Sequence, residues 1–193
     1  MDHVLFIPWT RTSGLADEQL IKCETWRSSA DNYELNRQHY YSVVCAGDGY
    51  DFGQLSHGSE IYVRGHGGIG DHEIVNDEYG TSALSYKEVA RLLIAQGLRK
   101  TWFGRIKFYN CNSGTCKLGS QSFAAKAAQY MRFKKGYHLI TYVGYLGALD
   151  SYPVDEGGKK MHKYVTRFSR SPFKSGPFER NKEVKSKWSK VFF

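Results

Sequence analysis

Nowhere in the 193 residues does an apolar run approach the roughly 18 consecutive positions that a membrane span needs. The longest, such as Val4-Leu5-Phe6-Ile7, are strand-sized, so a soluble protein with no membrane span is expected. The opening Met1-Asp2-His3-Val4 has no basic start, no apolar stretch of signal length and no small-residue cleavage site, which points to a protein made in the cytoplasm. Cysteine is sparse. Cys23, Cys45, Cys111 and Cys116 are too few for a disulfide scaffold and include no Cys-x-x-Cys pair, so the usual zinc-ribbon and dithiol redox patterns are missing and free thiols are expected. No internal repeat is visible.

Hydrophobic residues make up 41% and aromatic residues 15% of the chain, enough to close a sizeable core and to exclude disorder throughout. The length fits one domain with at most a short appendage. Acidic residues are outnumbered, 19 against 27 Lys and Arg, and the imbalance is local. Residues 156–193 hold eleven Lys or Arg and three Glu, so they carry the whole net charge of +8 and leave a neutral body. The division expected is therefore a catalytic or binding body over 1–155 and a basic C-terminal segment over 156–193, a hairpin or tail packed on the body. Tyr164, Phe168, Phe173, Phe178 and Trp188 punctuate its charges. Such a segment suits an acidic partner, or simply a solvated surface.

Short apolar runs bounded by turn signals predict strands over Val4–Pro8, Tyr41–Cys45, Glu60–Arg64, Arg105–Asn110 and Tyr137–Tyr145. A helix is expected from about Ala16 to Trp26. Ser85-Tyr86-Lys87-Glu88 reads as a capping box, with Val89, Leu92, Leu93 and Gln96 at helical spacing and Gly97 as the stop. Ser120 is read as the cap of a further helix over Ser122–Phe133. Strands alternating with helices predict an α/β fold, a three-layer sandwich with a mainly parallel central sheet flanked by helices.

Ligands of such sheets bind at the carboxyl ends of the strands. Two residues capable of chemistry sit there: His66, within Gly65-His66-Gly67-Gly68-Ile69-Gly70, and Cys111, in Asn110-Cys111-Asn112-Ser113-Gly114. Alone, each is more often structural. Together, one crossover apart, they make a nucleophile and base pair, with the N–H groups of Gly67 or Gly68 and of Cys111 as oxyanion donors. A phosphatase loop would need Arg at position 117, which is Lys117. A zinc site from His66, His72, Cys111 and Cys116 matches no usual ligand spacing, and the glycine run is not followed at once by the helix that a dinucleotide fingerprint requires.

The segments Ile61–Gly68 and Ile106–Gly114 resemble the paired motifs of the caspase and hemoglobinase clan of cysteine peptidases, where one hydrophobic strand ends in His-Gly and the next in the nucleophile. The likeness covers roughly residues 58 to 148 and is greatest to small bacterial members such as the self-processing cysteine protease domain of RTX-type toxins. It implies a caspase-like fold and an endopeptidase using a Cys/His dyad. His66 would be the general base and acid, Cys111 the nucleophile, and Gly67 and Cys111 the oxyanion hole. It names no catalytic Asp, although Asp71 and Asp150 are near the expected cleft. It implies a protein or peptide substrate, no required cofactor or metal, and activation by a polyanion such as inositol phosphate at the basic segment Lys159–Lys190. It also implies a bacterial effector or toxin setting, with delivery into a host or target cell. The competing expectation is an inactive caspase-like module whose basic segment holds nucleic acid or another polyanion; no recognised nucleic-acid motif supports it.

Overall fold

The computed structural model describes residues 2–33, 41–149, 154–155, 161–162, 164–168, 180–185 and 189–193. In chain order the elements are β1 (His3–Ile7), α1 (Asp17–Tyr33), β2 (Tyr41–Cys45), β3 (Glu60–Arg64), β4 (Glu73–Val75), β5 (Ala83–Ser85), α2 (Tyr86–Ala95), β6 (Arg105–Tyr109) and α3 (Phe123–Gln129), which runs into a π turn (Tyr130–Lys134). There follow β7 (Thr141–Tyr145), β8 (Ala148–Leu149), β9 (Val154–Asp155), β10 (Met161–His162), β11 (Tyr164–Phe168), β12 (Arg180–Lys185) and β13 (Lys190–Phe192). The fold is mixed α/β around a six-stranded sheet in the order β13-β7-β6-β3-β1-β2. Five of these strands are parallel, and β13 runs antiparallel to β7.

Side chains along a strand alternate between faces, and the two faces here differ in chemistry. On one, Tyr62 and Tyr109 meet Trp26 of α1 with ring centroids 5.3 and 4.9 Å away. On the other, Phe108 meets Phe123 of α3 at 5.4 Å, and α2 packs against α3. The α1 face also buries charge. Glu60 accepts hydrogen bonds from Lys107 and from the Tyr62 hydroxyl (2.8 Å), with His3 Nδ1 3.2 Å and Arg105 Nη1 3.0 Å away. Burial works against the Glu60 carboxylate. The contacts with His3, Lys107 and Tyr62 outweigh it and hold the group well below the usual carboxylate range. Burial pushes the Lys107 ammonium down to about 8 despite its partner.

Several boundaries move from their expected places. The first helix continues past Trp26 to Tyr33, and β7 starts at Thr141 because Tyr137 turns inward to donate to the Leu98 carbonyl (2.8 Å). The cap of α3 is Ser122, which accepts from the Ala125 N–H, whereas Ser120 bonds His72. The α2 capping box forms as read, with Ser85 and Glu88 satisfying each other's backbone N–H groups. The β4–β5 hairpin between the His66 loop and α2 has no strong sequence signal. Within 156–193, β11 pairs with β12 and with β8, β10 pairs with β9, and β13 closes the edge of the central sheet beside β7. The side chains of residues 151–188, on which the polyanion reading rests, lie outside the described residues, as does Asp150. Among the described residues no helix is long and apolar enough to cross a membrane.

Candidate active site

The β3 and β6 strands are parallel neighbours, in register from Glu60 and Arg105 to Arg64 and Tyr109, so the loops that follow them leave the sheet side by side. His66 stays fixed just beyond β3. Its backbone N–H donates to the Val75 carbonyl (2.8 Å) and its carbonyl accepts from the Val75 N–H (3.0 Å), a bridge that folds β4 back over the loop.

The imidazole is held from α1. His66 Nε2 lies 2.7 Å from Glu18 Oε1, and Lys22 pairs with the same oxygen, which brings Lys22 Nζ to 3.2 Å from Nε2. An ionised carboxylate only accepts, so both nitrogens point their hydrogens at it. A neutral ring in this arrangement carries its proton on Nε2 and keeps the Nδ1 lone pair as the base. The second Glu18 oxygen accepts from the Glu78 N–H at 3.2 Å. Burial works against the Glu18 charge, yet the hydrogen bonds from Lys22 and His66 prevail, so its carboxyl is held below its ordinary range and is ionised at neutral pH.

The cysteine turn is pinned on the opposite side. Gly114 N–H donates to the Tyr145 carbonyl (2.9 Å), Asn112 N–H to the Gly147 carbonyl (2.7 Å), and the Ser113 hydroxyl bridges the Phe108 carbonyl and the Tyr145 N–H. Asn112, directly after the cysteine, has φ of 56°, a left-handed conformation that Asn tolerates better than most residues. Cys111 Sγ accepts from the Leu149 N–H at 3.3 Å, so one backbone donor already faces the sulfur.

His66 and Cys111 line one cleft together with Gln19, Lys22, Arg64 and Leu149. It is small, with a volume of about 30 Å³. Gly67 is where the two loops touch: a Cβ there would lie 2.6 Å from Asn110 Nδ2 and 3.0 Å from the Cys111 carbonyl oxygen. Among the described residues, neither the Gly67 N–H nor the Cys111 N–H donates to a backbone acceptor. Arg64 lies over the rings of Trp26 (5.2 Å) and Tyr109 (4.9 Å), adding positive charge beside the cleft.

The other thiols are placed differently. Cys23 and Cys45 are buried, and burial pushes both up, Cys45 to about 11, which leaves them protonated and unreactive near neutral pH. Cys116 is exposed. His72 is 2.7 Å from the Ser120 hydroxyl, and among the described residues no group of three or more His, Cys, Asp or Glu is placed to hold a metal ion. Asp71 lies against Gly68, where a Cβ would come 2.4 Å from its Oδ2, and does not line the cleft. The acid at the imidazole is Glu18, which the sequence reading missed. Its one trace there, the Glu18/Lys22 spacing of four on a helix, is also that of any solvated helix face.

No protein-family model matches this chain, and no curated protein is significantly similar to it.

Proposed function

We propose that the protein is a cysteine endopeptidase of caspase-like fold, in which Cys111 is the nucleophile and His66 the general base and acid. The observation that carries this reading is the single cleft lined by both side chains, with the imidazole Nε2 already committed to Glu18. Nδ1 takes the thiol proton as Cys111 Sγ forms its bond to the scissile carbonyl carbon, and the N–H groups of Gly67 and Cys111 receive the developing oxyanion. The imidazolium then protonates the leaving amine as the peptide C–N bond breaks. In the second half, Nδ1 takes a proton from water, whose oxygen attacks the thioester, and the thiol is restored by the returning proton. Glu18 takes no part in bond making; as a positioning residue it fixes the tautomer and steadies the imidazolium. A peptide substrate, a cytoplasmic or delivered effector setting and a polyanion engaging the basic segment belong to the same proposal.

The test is a thiol-reactive acyl probe together with a peptide-library cleavage assay. Cys111 is labelled selectively in the native protein, and Cys111→Ala abolishes both labelling and cleavage with an unchanged Tm, while Cys23→Ala, Cys45→Ala and Cys116→Ala remain active. Full cleavage by Cys111→Ala removes the mechanism.

A further inference from the structure

On the face of the molecule formed by α2 and α3, away from α1, lies a groove of about 650 Å³, within the usual range of small-molecule sites. It is lined by Tyr86, Lys87, Lys126, Gln129, Tyr130, Phe133, Lys134 and Lys135, with no carboxylate among them. Four ammonium groups around one hollow repel one another, and an anion held between them relieves that repulsion.

Two features arrange the charges. The tyrosine rings serve as platforms: Lys87 and Lys126 lie 5.8 and 5.9 Å from the Tyr86 ring centre, Lys135 lies 5.7 Å from that of Tyr130, and the two rings meet edge to face. The π turn supplies the rest. An i to i+5 repeat brings Tyr130 and Lys135 onto one side, where 3.6 residues per turn would separate them. Phe133, by contrast, is 73% exposed and enters no ring stack or cation contact among the described residues. All four cations are Lys, which binds phosphate as a point charge.

We propose that this groove binds a nucleotide, its di- or triphosphate held by Lys87, Lys126, Lys134 and Lys135 and its ring stacked on Phe133. The site is independent of the Cys111 chemistry, and its test needs no enzymatic activity. Binding of ADP and of inorganic tripolyphosphate to the full chain is measured by titration calorimetry and by the shift in Tm. ADP is expected to bind with one-to-one stoichiometry, more weakly as salt rises. Lys126→Gln/Lys134→Gln weakens both ligands about tenfold or more. Phe133→Ala weakens ADP about fivefold or more, the cost of a lost stack, and leaves tripolyphosphate unchanged. Arg27→Gln on α1, with the same sign of charge change, alters neither.

Four outcomes overturn the proposal. Neither ligand binds; or binding survives the double Lys change, which assigns it to the basic segment; or Phe133→Ala leaves ADP unaffected and tripolyphosphate binds as well as ADP, which reduces the groove to a bare phosphate site; or a single-stranded oligonucleotide displaces ADP with far higher affinity and a footprint of several nucleotides.

Discussion

In the proposed active site, Glu18 and Gly67 place the dyad: Glu18 orients the His66 ring, and Gly67 lets the two loops meet. Glu18→Gln keeps an acceptor for the His66 Nε2–H and removes the charge that steadies the imidazolium, so kcat should fall about 10²-fold with KM little changed. Glu18→Ala, which also frees the ring, should cost more, and Glu18→Asp should recover part of the loss. Lys22→Met leaves Glu18 Oε1 to His66 and should cost far less than Glu18→Gln. Equal losses in steady-state assays of the two would mean that the Glu18–Lys22 pair acts as a unit and that the carboxylate alone is not what α1 supplies. Gly67→Ala drives a methyl against Asn110 Nδ2 and the Cys111 carbonyl, parting the two loops. It should lower kcat/KM at least tenfold while circular dichroism is unchanged. The placement of His66, Cys111 and Gly67 on one edge of the sheet was legible in the sequence because two short apolar runs end in glycine-rich or small-residue turns. Glu18 was not, because its meeting with His66 is made by the crossover that carries α1 over the sheet, and no local pattern records that.

Strands and helices were legible where their own residues decide the matter. The apolar runs of β1, β2, β3 and β6 and the Ser85/Glu88 box of α2 are local signals, and their boundaries agree with the structure to within a residue or two. Tertiary packing decided the rest: Tyr137 is drawn away from β7 by the Leu98 carbonyl, and β13 is three residues that only a waiting edge turns into a strand. Between β3 and β6, the Glu60–Lys107 pair makes the sheet sensitive to substitution in a particular order. Glu60→Gln leaves Lys107 buried without its counter-charge and should destabilise by about 3–5 kcal/mol in urea unfolding, whereas Glu60→Gln/Lys107→Met should recover much of that. The folded-state pKa of Glu60 is depressed, so its contribution is complete above the unfolded value near 4.5 and is lost as pH falls toward the folded value. The stability gap between the native protein and Glu60→Gln should therefore narrow steadily below pH 4.5, and a gap constant down to pH 2.5 would contradict the assignment.

At the scale of the whole molecule, the sheet is closed beside the cysteine turn by β13. Val191 pairs with Gly144, the Phe193 carbonyl accepts from Arg132 Nη2 at 2.6 Å, and the Leu146 N–H donates to the Ser189 carbonyl. Removing residues 189–193 should lower Tm by about 2–4 °C for each kcal/mol lost and should expose the β7 edge to self-association, seen as a concentration-dependent sedimentation coefficient. A monomer of unchanged Tm would show that the strand is dispensable.

The meeting of Glu18, His66, Cys111 and Leu149 in one cleft has a consequence in time. These positions are tens of residues apart along the chain, and no two adjoining elements bring them together. Their loop-closure cost is met only when the parallel strands between them have paired, the kind of long-range pairing that makes folding slow. A collapsed intermediate holding any single hairpin or helix has no acid beside its imidazole and no imidazole beside its thiol. On the proposed mechanism the chain is therefore inert toward its neighbours, and toward itself, until its sheet is built.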